Sequence, residues 1–166
     1  VVISASGNPK YLLGVLEKAN EINAKTIALT CNSQARIIDE ASLAICVEVG
    51  PEVIAGSSRM KAGTAQKMVL NMLTTGSMIK IGKTYENFMI DLNPTNEKLK
   101  DRAIRIVAQI AETTHANAFQ TLENCNWEIK TAIVSIKMGV DFDTARQKLK
   151  TCSGVLRKLL NKKEAV

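Results

Sequence analysis

The chain has 166 residues, a formal charge of +6 and 46% hydrophobic residues. That length suits one ordinary domain, or a domain with a helical appendage, and carries enough apolar content for a real core. No stretch approaches the roughly eighteen uninterrupted apolar residues of a membrane span, so a soluble protein with no membrane partner is expected. Aromatic residues make up 4% and are not interleaved with the cations, which argues against a stacking platform for single strands. Lys148, Lys150, Arg157, Lys158, Lys162 and Lys163 fall where the pattern is of short amphipathic helices with wet faces, and nucleic acid is not expected as a partner.

Taken in chain order, apolar runs at residues 1–3, 26–31 and 43–49 alternate with helical segments. This rhythm predicts parallel strands joined by crossover helices, covered on both faces. The first helix is expected over 9–20, with Leu12, Val15, Leu16 and Ala19 on one side, Pro9 at its first position and Asn8 as its cap. A short helix is expected over 35–41. A long one follows from Ser58 to about Ile81, its buried face marked by Ala65, Met68, Val69, Met72 and Leu73. Three strands make a thin sheet, and the start on Val1-Val2-Ile3 reads as cut from something longer, with further strands upstream.

Residues 82–94 read as an irregular connection, followed by a helix around Leu99, Ala103, Ile106, Val107 and Ile110. Shorter helices are expected over 116–123, 127–138 and 144–149, the last capped by Asp141 or Asp143, before a final turn at 155–160. The expected division is 1–93, 94–114 and 115–166: a sheet-bearing part, a connecting helix and a small helical bundle.

Two places offer site chemistry. Residues 50–67 combine Ser57, Ser58, Arg59, Lys61 and several glycines at the start of the long helix. A serine there can cap free N–H groups, and the two cations reinforce the end where the helix dipole favours an anion, as a sugar phosphate would require. The plainer alternative is an ordinary serine cap with two solvated cations. The second place is Ser4, Ser6, Gly7 and Asn8, at the carboxyl end of the first strand, where open parallel sheets hold ligands. Hydroxyls, a glycine and helix N–H groups can surround a phosphate without a metal; a tight turn with no ligand is the alternative. Glu52 lies on the same edge, either accepting from a sugar hydroxyl or serving as a base, or else satisfying nearby backbone N–H groups.

His115 is the only histidine, so a Ser-His-Asp triad has little to build on and a metal site would have to be carboxylate-only; a cap or surface role is the default for His115. Cys31, Cys46, Cys125 and Cys152 show no ligand spacing. Cys31 and Cys46 read as small core residues, and Met60, Met68, Met72, Met78 and Met89 as core filler. Reduced thiols and no signal peptide point to the cytoplasm.

The run at 50–67 resembles the signature shared by bacterial N-acetylmuramic acid 6-phosphate etherases and the animal glucokinase regulatory protein, both built on sugar isomerase (SIS) domains. Leu70-Asn71-Met72-Leu73, Asn87-Phe88-Met89-Ile90-Asp91 and Thr95-Asn96-Glu97-Lys98-Leu99 extend the likeness. The last of these, with residues 61–67, is similar to the bacterial form. The resemblance implies an α/β fold: a parallel sheet sandwiched by helices, about three of whose strands lie here as the C-terminal half of a SIS domain, then a helical bundle. It further implies elimination of D-lactate from N-acetylmuramic acid 6-phosphate in cell-wall sugar recycling. The implied route has a base take the proton at C2 of the opened sugar, lactate leave C3, and water add to leave N-acetylglucosamine 6-phosphate, with no metal or organic cofactor.

By position, Ser4, Ser6, Gly7 and Asn8 would form one ligand loop, and Ser57, Ser58, Arg59 and Lys61 a second group facing a phosphorylated amino sugar. The family's two catalytic glutamates would lie upstream, so this chain would hold half a site and be inactive alone. Asn8-Pro9-Lys10 stands where many etherases have Arg-Thr-Pro, and Glu86 replaces a common glycine. SIS domains commonly pair, so a homodimer of the intact protein is expected; the apolar face of the long helix is a reasonable element for it, though the sequence does not fix the surface used. A sugar-phosphate-sensing regulator of the glucokinase type is the alternative; a DNA-associated regulator would need a helix-turn-helix with a basic recognition helix, which is not evident.

Overall fold

A computed structural model describes residues 1–160; Lys162 and Lys163, assigned above to an amphipathic wet face, lie outside the described residues. Residue contacts divide the chain into two compact units, Val1–Thr74 and a second beginning at Thr75.

In the first unit, β1 (Val2–Ser4), β2 (Ile27–Thr30) and β3 (Leu43–Cys46) form a parallel sheet in sequence order, with Val2 opposite Ala28 and Ala28 opposite Ala44. The crossovers are α1 (Lys10–Glu21) and α2 (Ile37–Glu40). Val2, Leu12, Leu16, Ala28, Ala35 and Ile37 bury together, so Leu12 and Leu16 of the face expected of the first helix meet the sheet, whereas Val15 is 50% exposed. Asn8 does not cap α1: Pro9 occupies the cap position, and it makes no side-chain capping bond.

The long helix departs from expectation in two ways. α3 (Lys61–Lys80) begins three residues after Ser58. Only Ala62 in it is buried, while Met68 and Met72 are 54% and 64% exposed. Ala65, Val69 and Leu73 of the expected face are half-buried, so the described residues cover the apolar stripe only in part. Met60, Met78 and Met89 are likewise exposed rather than core filler. Cys31 is half-buried and Cys46 exposed, so neither is a core residue; Cys46 ends β3, an edge strand of the sheet, and Leu43 at the strand's other end is 54% exposed.

In the second unit, residues 84–89 are not an irregular connection. β4 (Thr84–Tyr85) and β5 (Phe88–Met89) pair as a hairpin around Glu86 and Asn87. Glu86 sits at φ 50, a left-handed conformation that glycine adopts without a Cβ penalty. α4 (Glu97–Ala111), α5 (His115–Asn124), α6 (Ile129–Met138), α7 (Phe142–Thr151) and α8 (Leu156–Leu160) follow. Their apolar stripes close one core, including Val107, Leu122, Ile133, Leu149 and Leu156, and Ile90 from beyond the hairpin joins it.

The helix boundaries have chemical causes. The side chains of Asn96, Thr114 and Asp141 accept from Leu99, Asn117 and Thr144 N–H groups, each satisfying a donor the helix leaves open. Asp141, not Asp143, is thus the cap of α7. Gly139, left-handed at φ 62, ends α6.

Candidate functional site

An open cavity of about 410 Å³ lies at the carboxyl ends of β1 and β2, lined by Ser4, Ala5, Ser6, Cys31, Val49, Gly50, Glu52, Gly56, Ser58 and Ala62. The size is within the range of small-molecule sites. It brings the loop after β1 and the approach to α3 onto one space. Ser4, Ser6, Glu52 and Ser58 reach the wall; Gly7, Asn8, Ser57, Arg59 and Lys61 do not. Lys61 is nonetheless close behind, its Nζ 3.7 Å from where a Cβ on Gly50 would stand.

The loop after β1 is held from below by two residues the sequence reading passed over. Buried Thr30 donates from its hydroxyl to the Ala5 carbonyl at 3.3 Å and accepts from Asn32 N–H at 3.2 Å. Asn32 Nδ2 donates to the Ser6 carbonyl at 3.1 Å, and Cys31 N–H to Ala5 O at 3.1 Å. A threonine ending an apolar strand was the available signal. Inside the loop, Gly7 N–H donates to Ser4 Oγ at 3.0 Å, and the Ser4 and Ser6 hydroxyls stand 3.5 Å apart. Gly7 is therefore a packing glycine: at φ +67, a Cβ there would come 2.2 Å from Ala35 Cβ.

Glu52 takes the role expected of the serines. Its two carboxylate oxygens accept from Lys61 N–H and Ala62 N–H, both at 3.1 Å. Gly63 N–H bonds to Ser58 O and Thr64 N–H to Met60 O, each at 3.0 Å. All four first-turn donors of α3 are thus satisfied internally, so no free backbone N–H awaits an anion there. Backbone bonds from Ala62 and Lys61, with the Lys61 charge, outweigh partial burial and hold the Glu52 carboxyl below its usual range. Ser57 and Ser58 keep their hydroxyls uncommitted to capping, and Ser58 presents to the cavity.

Cys31 in the same wall is a thiol rather than a thiolate. Burial raises it, and Cys46 and Glu52 add to the effect, which makes it a poor nucleophile. Among the described residues no three His, Cys, Asp or Glu side chains gather as metal ligands. No helix there is long and apolar enough to cross a membrane. What the cavity offers is hydroxyl donors, one fixed carboxylate and one nearby cation, Lys61, which suits a polyhydroxylated anion.

Comparison with known proteins bears first on the sheet-bearing unit. The SIS domain model matches residues 1–76, and that is the family this part of the chain is similar to. The match covers the three-strand sheet, the cavity and most of α3, and it ends near the division between the two units.

Beyond the SIS domain, the chain is similar to proteins named N-acetylmuramic acid 6-phosphate etherase. One from Pseudoalteromonas atlantica is 47% identical over 165 residues, covering 99% of this chain and 54% of the relative. One from Vibrio campbellii is 50% identical over 158 residues, 95% of this chain and 51% of the relative. A third, from Shouchella clausii, is 43% identical over 162 residues, 98% of this chain and 55% of the relative. The likeness therefore runs through the helical unit as well as the SIS domain, as the motifs at 87–91 and 95–99 imply. The chain spans about half the length of the curated relatives it matches.

Proposed function

We propose that this chain is part of an etherase that releases D-lactate from N-acetylmuramic acid 6-phosphate in cell-wall sugar recycling, leaving N-acetylglucosamine 6-phosphate. The observation that carries the reading is the cavity shared by Ser4, Ser6, Glu52 and Ser58, in a chain 43% identical or more to relatives bearing that name. The sugar phosphate would take hydrogen bonds from the three serine hydroxyls, with Arg59 and Lys61 supplying positive potential from the rim. Glu52, already fixed by two N–H donors, would accept from a sugar hydroxyl with its remaining lone pairs.

In this reading the C2 proton goes to a base, the C3–O bond breaks with its electron pair leaving on lactate, and water adds at C3. The base and the acid are assigned to residues outside this chain, since Glu52 is committed to α3 and Cys31 is protonated. The intact protein is proposed to be a cytoplasmic homodimer, pairing through the exposed face of α3. A regulator that binds the same sugar phosphate without turning it over would bind but release nothing.

The test is a coupled D-lactate assay on the full-length protein with N-acetylmuramic acid 6-phosphate, run beside the 166-residue chain. Lactate from the former and none from the latter is expected. Appreciable release by the 166-residue chain would refute the assignment of the base to residues elsewhere. Saturable binding to the full-length protein without release would favour the regulator.

A further inference from the structure

The helical unit contains a cavity of about 590 Å³ that the etherase reading does not use. Three segments build it: residues 90–94 after the hairpin, residues 126–131 entering α6, and Arg146, Leu149 and Lys150 on α7. Ile90, Leu92, Pro94, Ile129 and Leu149 give it an apolar floor. Its ionic side chains, Asp91, Glu128, Lys130, Arg146 and Lys150, converge from different elements, as the orienting polar groups of a small-molecule site do.

Most of these charges are fixed by one another. Asp91 pairs with Lys83 and, at 3.1 Å, with Lys130, whose Nζ also donates to Gly154 O at 3.1 Å. Arg146 donates from Nε to Glu128 and from Nη1 to Asp143, both at 2.9 Å, and Thr131 donates its hydroxyl to Glu128 at 2.7 Å. Burial opposes ionisation of Asp91, but its two lysines outweigh it and hold the carboxyl below its ordinary range. The Arg146 bond does the same for Glu128 against a smaller burial effect. Both acids therefore stay charged at neutral pH and keep their cations in place. Lys150 is different: in the wall on α7, it has no ion-pair partner among the described residues.

The wall is also strained. Asn126 and Trp127 both take positive φ, 54 and 61, which for a bulky residue such as Trp is an outlier. Conformations of this kind gather at ligand sites, where surrounding structure holds them.

We propose that this cavity is a second ligand site, binding a small organic anion: an apolar body against Ile90, Leu92, Ile129 and Leu149, with one carboxylate or phosphate on Lys150 and the unpaired edge of Arg146. The ion pairs around Asp91 and Glu128 act as a prebuilt frame, so the incoming anion meets one uncompensated positive charge. The site shares no lining residue with the serine-lined cavity and stands whether or not the protein is an etherase.

The experiment uses the 166-residue chain, whose single tryptophan, Trp127, is in the wall. The probe is 2-naphthoate, with uncharged 2-naphthamide as its partner, followed by isothermal titration and by Trp127 emission. Saturable one-to-one binding of 2-naphthoate is expected, weaker by about tenfold for the amide and for Lys150→Glu, as loss of one charge-assisted hydrogen bond implies. Asn93→Trp, placed at an exposed lining position, should abolish binding by filling the cavity. Thermal melts of both variants should match the parent. Absence of saturable 2-naphthoate binding by the parent would overturn the proposal. So would affinity that ignores both substitutions while the melts stay unchanged, or equal affinity for acid and amide.

Discussion

Replacing Gly7 by alanine tests whether the loop at the serine-lined cavity is held by packing. The new methyl would lie 2.2 Å from Ala35 Cβ, 3.0 Å from Thr30 Oγ1 and 3.3 Å from Ile37 Cγ1, at φ +67. Ala35, Thr30 and Ile37 are at most 2% exposed, so none can swing aside. Overpacking a filled core costs about 1–3 kcal/mol, and a left-handed conformation at a residue with a Cβ costs about 1–2 kcal/mol more. The sum is about 2–5 kcal/mol, a large share of a typical domain stability of about 5–15 kcal/mol.

The damage should also reach the cavity, because Thr30 is the residue that anchors Ala5 and Asn32. Urea unfolding gives the midpoint and slope. Gly14→Ala is the control: it lies inside α1 with nothing within 4 Å of its added methyl, so it should stabilise by about 0.5–1 kcal/mol. A Gly7→Ala loss below about 0.5 kcal/mol with an unchanged slope would show the packing reasoning to be wrong, since surface changes fall in that range.

Two further outcomes follow. Glu86→Gly should raise stability by about 1 kcal/mol in the same urea titration, because it relieves a left-handed φ of 50 at the hairpin turn; a decrease would mean that the Glu86 side chain makes a contact worth more than the strain. Glu52→Gln should lower the melting temperature at neutral pH. Because the folded Glu52 carboxyl is held below its unfolded value, its stabilisation is complete above the unfolded value of about 4.3 and disappears as pH falls through the folded one. Melts of parent and variant should therefore converge in acid; a gap independent of pH would remove the carboxylate from the role of helix cap.

Apolar runs and their alternation with helical segments were enough to read the parallel sheet and its crossovers, because each strand of the first unit is a continuous apolar stretch. The bundle was legible for a related reason: Leu122, Ile133 and Leu149 each recur at helical spacing with caps nearby. The hairpin escaped because two-residue strands are too short to show a period, and its turn uses Glu86 where glycine would have flagged it. The periodicity of α3 marked an apolar stripe correctly but carries no information on what covers it, hence the exposed Met68 and Met72. At the candidate site, serine and glutamate are both competent caps. Choosing between them required the fold of residues 52–61, which brings Glu52 back onto the first turn.

That carboxylate has a bearing on selectivity. A helix beginning normally attracts any small anion, sulfate and chloride included, with little regard to shape. In this protein the place is already occupied from within, by a group that cannot diffuse away. On the proposed reading an incoming ester would instead have to satisfy directional hydroxyl donors at Ser4, Ser6 and Ser58, beside a fixed negative neighbour that would discourage bare inorganic ions and reward a molecule bringing hydroxyl groups of its own.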